Sequence, residues 1–135
     1  MVNVRKQISI FLANRPGTLA DISKNLRDRE INILAMTVSD TVDHAVVRML
    51  VDKPGKAVHQ LEEKGLLVVE NDVLVVSLEN KPGALAELST KLAEHGINIE
   101  YAYCTGMPAQ KKGLMVIRTG DPHQARALLE GDGDR

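Results

Sequence analysis

The chain has no Trp, one Phe and two Tyr among its 135 residues. Three aromatics (Phe11, Tyr101, Tyr103) cannot build the row of rings that stacks on successive bases of a nucleic acid. Neither charge is in excess: 17 Lys and Arg stand against 18 Asp and Glu, a net of −1. A near-neutral chain has no electrostatic reason to seek phosphate backbones. No apolar run reaches the roughly 18 residues a membrane span needs. The start, Met-Val-Asn-Val-Arg-Lys, lacks the apolar core of a signal peptide. The single Cys104 cannot close an intrachain disulfide. These absences lead to the expectation of a soluble cytoplasmic protein. Catalytic signatures are missing too. His44, His59, His95 and His123 are scattered, with no HExxH or CxxC spacing, and there is no GxSxG, P-loop or GxGxxG. His59, Glu62 and Glu63 read as a solvated helix face, and Cys104 as a small hydrophobe on a strand. No catalytic residue, metal or cofactor is expected, and the chain does not read as an enzyme.

What is present is a repeat. Residues 7–40 (QISIFLANRPGTLADISKNLRDREINILAMTVSD) align without a gap to residues 73–106 (VLVVSLENKPGALAELSTKLAEHGINIEYAYCTG). The offset is 66, as in Asn80 minus Asn14. Pro16/Pro82, Gly17/Gly83, Leu19/Leu85, Ala20/Ala86, Ser23/Ser89 and Leu26/Leu92 are identical, and Ile-Asn-Ile recurs at 31–33 and 97–99. The chain therefore reads as two domains, 1–71 and 72–135. Each is small for an independent core, so the copies are expected to lean on each other.

Periodicity gives each copy its elements. Residues 7–13 are β-rich with Ile8, Ile10 and Leu12 on one side, and Asn14-Arg15-Pro16-Gly17 breaks the strand. Pro16 suits a first helical turn, and Leu19, Ile22 and Leu26 form one apolar stripe. Strands follow at 31–39 and 45–52, with a turn at 40–43. A helix opens at Pro54-Gly55, and a strand occupies 66–70. The order is βαββαβ. The second copy repeats it with strands at 73–79, 97–104 and 113–119 and helices from Pro82 and Pro122. It then stops at Gly-Asp-Gly-Asp-Arg, one strand short. The fold class is α+β: two ferredoxin-like units in tandem, antiparallel sheets with helices on one face. The missing strand would leave strand 73–79 with an open edge, to be paired by residues 66–70 or by a second chain. Apolar residues on both sheet faces point to burial by the other copy or by a partner, hence to a homodimer or higher oligomer.

The strand-to-helix loops carry the binding chemistry. A helix N-terminus offers free N–H groups and partial positive charge, which suit a carboxylate. Gly17 and Gly83 let a ligand approach the backbone, and Asn14 and Asn80 can donate and accept. Each has a plainer reading: Asn14 and Asn80 as helix caps, Pro-Gly as turn chemistry, Asn32 and Asn98 as partners of a neighbouring loop, Arg15 and Lys81 as solvated charges. Tyr101 and Tyr103 read as core or interface, or as a pocket wall.

The pattern strand–Asn-x-Pro-Gly-x-Leu-Ala–helix–Ile-Asn-Ile–strand, present twice, resembles the ACT domain. The likeness covers about residues 5–130. It implies a stand-alone tandem ACT protein of the regulatory, amino-acid-binding kind, with a ligand held near the two Pro-Gly loops at a domain interface. Carried over by position, the implied ligand-binding residues are Asn14, Arg15, Pro16, Gly17, Thr18 and Leu19, then Asn80, Lys81, Pro82, Gly83, Ala84 and Leu85. The family pattern adds the starts of the second strands, Asn32, Ile33, Asn98 and Ile99. The implied partners are an amino acid or related metabolite and a regulated enzyme. The alternative is a ligand-free interaction module or the regulatory subunit of a separate enzyme of amino-acid metabolism.

Overall fold

The computed structural model describes residues 1–40, 44–106 and 109–133. The elements are β1 (Val2–Ala13), α1 (Thr18–Asp28), β2 (Ile33–Asp40), β3 (His44–Val51), α2 (Pro54–Glu63), β4 (Leu67–Glu79), α3 (Ala84–Glu94), β5 (Tyr101–Thr105), β6 (Lys112–Arg118) and α4 (Pro122–Gly133). The expected turn at 40–43 lies, after Asp40, outside the described residues, as does Pro108 of the connection between β5 and β6. Among the described residues, no helix is long and apolar enough to cross a membrane.

The chain divides into two compact units. One is Lys6–Asn71; the other is Asp72–Arg135 together with Met1–Arg5. In the first, the strand order is β2-β3-β1-β4. β1 and β3 run antiparallel from Ile8↔Met49 to Ala13↔His44. β2 and β3 run antiparallel from Ile33↔Val51 to Asp40↔Ala45. The alternation in β1 puts Ile8, Ile10 and Leu12 on one face, where they pack with Val47, Met49 and Val51 against Ile22 and Leu26 of α1 and Ala57 and Leu61 of α2. Leu19, expected on the same helical stripe, is 38% exposed instead.

In the second unit β4 pairs antiparallel with β6, from Leu74↔Ile117 to Glu79↔Lys112. β6 pairs in turn with β5, from Tyr101↔Arg118 to Thr105↔Leu114. Leu74, Val76, Met115 and Ile117 meet Leu88 and Leu92 of α3 and Ala125 and Leu129 of α4.

The expected open edge of strand 73–79 does not exist. Met1–Arg5 belong to the second unit. The Ser77 N–H donates to the Met1 carbonyl at 3.0 Å, and Val2 packs against the second core. Neither residues 66–70 nor a second chain is needed there. The offset of 66 explains this: Met1–Arg5 are the repeat counterparts of residues 67–71. The strand that the second copy lacks at its end is supplied at the start of the chain. Val2 and Val4 alternate with Asn3 and Arg5, so the strand signal was present ahead of residue 7. Residues 66–70 and 73–79 also fuse into the one strand β4, since Asn71-Asp72 contains neither Gly nor Pro to turn the chain.

Candidate functional site

The two Pro-Gly loops have nearly the same backbone. Gly17 precedes α1 with φ 91° and ψ −14°, and Gly83 precedes α3 with φ 89° and ψ −13°. That left-handed geometry is what requires glycine at both positions. A Cβ would meet nothing within 4 Å at either one. The plainer reading of these glycines is therefore sufficient: turn geometry, rather than close approach, explains them. The carbonyls of Gly17 and Gly83 accept from Asp21 and Glu87, each at 2.9 Å, and so open the helices.

The helices start at Thr18 and Ala84, so Pro16 and Pro82 lie in the preceding turn and not in the first helical turn. Asn14 and Asn80 are not the caps either. The cap positions belong to the glycines, and no side chain caps α1 or α3. The Asn80 amide instead donates to the Gln110 carbonyl at 3.0 Å, and its backbone N–H donates to the Lys111 carbonyl at 2.8 Å. Asn80 thus ties the loop to the connection between β5 and β6. In the first copy the Thr18 hydroxyl donates to the Arg15 carbonyl at 3.1 Å.

Around the second loop lies a cleft of about 460 Å³. Leu78, Leu114, Met115, Ala84, Leu85 and Cys104 supply its apolar walls, and Glu79, Asn80 and Lys81 its polar side. Thr105, Gly106 and Gly113 complete it. Gly113 is fixed by packing, because a Cβ there would lie 2.4 Å from the Thr105 carbonyl oxygen. Lys81 and Glu79 form an ion pair at 2.9 Å. The Lys81 hydrogen bond, aided by its charge, holds the Glu79 carboxyl below its usual value, and Glu79 holds the Lys81 ammonium above its own. A matched plus and minus charge therefore border one apolar cleft.

A further cleft occurs at corresponding places in both copies. In the second unit it measures about 360 Å³ and includes Val76, Lys81, Ala84 and Glu87. In the first it measures about 490 Å³ and includes Ala13, Arg15, Thr18 and Asp21. Ala13 stands where the second copy has Glu79, so Arg15 lacks the neighbouring carboxylate that Lys81 has. Leu19 and Leu85, one residue into each helix, are both exposed, at 38% and 51%.

The starts of the second strands are elsewhere. Ile33 pairs with Val51, whereas the loop at Asn14 follows Ala13, which pairs with His44 at the other end of β3. Asn32 and Ile33 thus sit at the opposite end of the sheet from their own loop. The Asn32 N–H donates to the Asp52 carboxylate at 2.9 Å, and its carbonyl accepts from the Asp52 N–H at 3.1 Å. Asn98 and Ile99 precede β5, whose Tyr101 pairs with Arg118, so they too lie far from the loop at 80–85. Within one unit no small molecule touches both groups. β5 begins at Tyr101, not at residue 97, and Tyr101 and Tyr103 line none of the clefts described.

Leu78 and Glu79 of β4, Cys104, Thr105 and Gly106 at the end of β5, and Gly113, Leu114 and Met115 of β6 are the cleft residues that sequence reasoning missed. The Glu79-x-Lys81 pairing was visible in sequence, but the contribution of β5 and β6 depended on strand order. Among the described residues no cluster of three or more His, Cys, Asp or Glu could hold a metal ion.

A family model described as an ACT domain pair matches residues 3–131. No curated protein matched the chain. Among solved structures, a protein from Bacteroides thetaiotaomicron is similar with a TM-score of 0.90 and 31% identity, covering 98% of this chain and 90% of that one. The ligand-free regulatory subunit of aspartate kinase from Thermus thermophilus is similar with a TM-score of 0.74 and 20% identity, covering 98% and 96%. The corresponding Thermus flavus subunit has a TM-score of 0.64 and 19% identity, covering 96% and 95%. At those identities the two kinase subunits speak to the fold alone.

Proposed function

The chain belongs to the ACT domain-pair family, and from that premise we propose that it is a regulatory protein whose strand-to-helix loops bind an amino acid. The observation that carries this reading is the cleft at the second loop, with Lys81 and Glu79 paired at its edge. An α-amino acid presents a carboxylate and an ammonium on one carbon. Lys81 and the α3 N-terminus suit the first, and Glu79 suits the second. The side chain of the ligand then lies on Leu78, Cys104 and Met115. The proposed site takes in the whole second loop, Asn80, Lys81, Pro82, Gly83, Ala84 and Leu85. Its first-copy counterpart is Asn14, Arg15, Pro16, Gly17, Thr18 and Leu19. The two differ in charge, because Ala13 replaces Glu79, and the second copy is the better match to a zwitterion. Asn32, Ile33, Asn98 and Ile99 belong to a different end of each unit and do not join this ligand within a unit. A thermal-shift screen of the twenty amino acids tests the proposal. Stabilisation that saturates with concentration is expected for at least one, and a flat response across the set refutes it.

A second reading is regulation of a separate enzyme. The exposed Leu19 and Leu85 at matching positions favour it, and the fold is one that regulatory subunits of aspartate kinase also have. A pull-down from lysate is expected to recover a kinase or another enzyme of amino-acid metabolism. Recovery of the chain alone counts against this reading.

A further inference from the structure

The first unit closes the gap between its first helix and its second with its own charged side chains. The Lys53 ammonium donates to the Glu30 carbonyl at 2.8 Å. The Lys56 ammonium donates to the Arg29 carbonyl, also at 2.8 Å. Beside them the Asp52 carboxylate accepts from the Asn32 N–H at 2.9 Å. Two ammonium groups and one carboxylate thus satisfy the end of α1 and the start of the next strand.

The second unit has the same backbone features without those groups. At the repeat offset of 66, Arg29, Glu30 and Asn32 become His95, Gly96 and Asn98. Before and within the last helix the offset is 68, as in Pro122 minus Pro54, and Asp52, Lys53 and Lys56 become Gly120, Asp121 and Gln124. Among the described residues no side chain donates to the His95 or Gly96 carbonyl. A cleft of about 450 Å³ opens there, bordered by His95, Gly96, Asn98, Glu100, Asp121 and Gln124. The Asp121 carboxylate accepts from the Gln124 N–H through one oxygen at 3.1 Å, which leaves its other oxygen to face a cation.

We infer that this groove, where α3 ends and α4 begins, is a separate binding site for an α-amino acid. The ligand's ammonium takes the place of the two lysine ammoniums on the His95 and Gly96 carbonyls and is held by Asp121. Its carboxylate takes the place of Asp52 on the Asn98 N–H. The first copy carries both charges of the ligand on its own chain and is closed to it. The inference does not rest on the loop site, which lies at the opposite end of the same unit.

The test is a set of ¹H–¹⁵N spectra of the full chain, titrated separately with each of the twenty amino acids. At least one is expected to move the amides of Gly96, Asn98 and Gly120 saturably. The triple variant Gly120→Asp, Asp121→Lys, Gln124→Lys rebuilds the first unit's network and is expected to abolish those shifts. A Cβ at Gly120 meets nothing within 4 Å, so the added side chain has room. Asp121→Asn, which keeps an oxygen to cap α4, weakens binding about tenfold, the worth of one charge-assisted hydrogen bond. No saturable movement with any amino acid overturns the inference, as do shifts that survive the triple variant or an affinity unchanged by Asp121→Asn. Shifts at residues 80–85 report the loop site, and the triple variant leaves them unaltered.

Discussion

Replacing Gly17 by Ala isolates backbone strain from packing. At φ 91° an L-residue pays roughly 1–2 kcal/mol relative to its preferred regions. Nothing lies within 4 Å of the added methyl group, so no clash contributes. Alanine also restricts the unfolded chain, which returns about 0.4–1 kcal/mol. The net expectation is a loss of about 1 kcal/mol, or roughly 4 °C in melting temperature for a chain of this size. Gly83→Ala, at φ 89° with equally open surroundings, should cost the same. The strain is local to each residue, so the double variant should lose about 2 kcal/mol. Valine at either site costs more, because its branched Cβ tolerates positive φ less well. Gly55 is the control. It lies in α2 without positive φ and with open space around it. Gly55→Ala should therefore gain up to about 1 kcal/mol. Urea denaturation followed by circular dichroism measures all of these variants. Neutral or stabilising alanines at 17 and 83 would refute the claim that conformation, rather than a ligand, dictates these glycines.

Other expectations follow from single contacts. Gly113→Ala forces a methyl group to 2.4 Å from the Thr105 carbonyl oxygen, so it should cost about 1–3 kcal/mol in urea denaturation; a neutral result would deny the close β5–β6 approach. Deleting Met1–Arg5 removes the Met1–Ser77 bond and Val2 from the second core. Hydrogen exchange should then speed up at Val75 and Ser77 while Met49 stays protected, and the bared edge should promote aggregation; unchanged protection at Ser77 would contradict the pairing. The Glu79 carboxyl should titrate below 4.5 and return towards it in Lys81→Ala, read by carboxyl-carbon NMR. A depressed acid contributes stability above its unfolded value and loses it as pH falls through the folded one. The raised Lys81 contributes below 10.5 and loses it as pH rises through its folded value. The ion pair is therefore intact across the neutral range, and a Glu79 titration unaffected by Lys81→Ala would disprove it.

Much of this was readable in the residues. The repeat marked the division between residues 71 and 72 but not the transfer of Met1–Arg5 to the second unit, and the alternation of Ile8, Ile10 and Leu12 identified the buried face that the structure shows. Edge pairing was not readable. Whether Met1–Arg5 extend a strand depends on what lies beside them, and a strand of five residues has weak periodicity of its own. The site was half legible. The loops at 14–19 and 80–85 stood out by their Pro-Gly pairs, yet Pro and Gly there serve turn geometry. The contribution of Cys104, Thr105 and Met115 arises from strands adjacent in space but distant in sequence. The second-strand residues Asn32 and Asn98 looked like parts of the same place because the motif is continuous in the chain. An antiparallel sheet sends them to its other end.

The proposed amino-acid site is the cleft at residues 80–85. Isothermal titration calorimetry of the full chain against the twenty amino acids tests it most directly when run beside Ala84→Phe, which fills the cleft from the first residue of α3. Saturable heat is expected with at least one amino acid, and its loss in that variant. No heat with any of them, or heat that Ala84→Phe leaves unchanged, would contradict it.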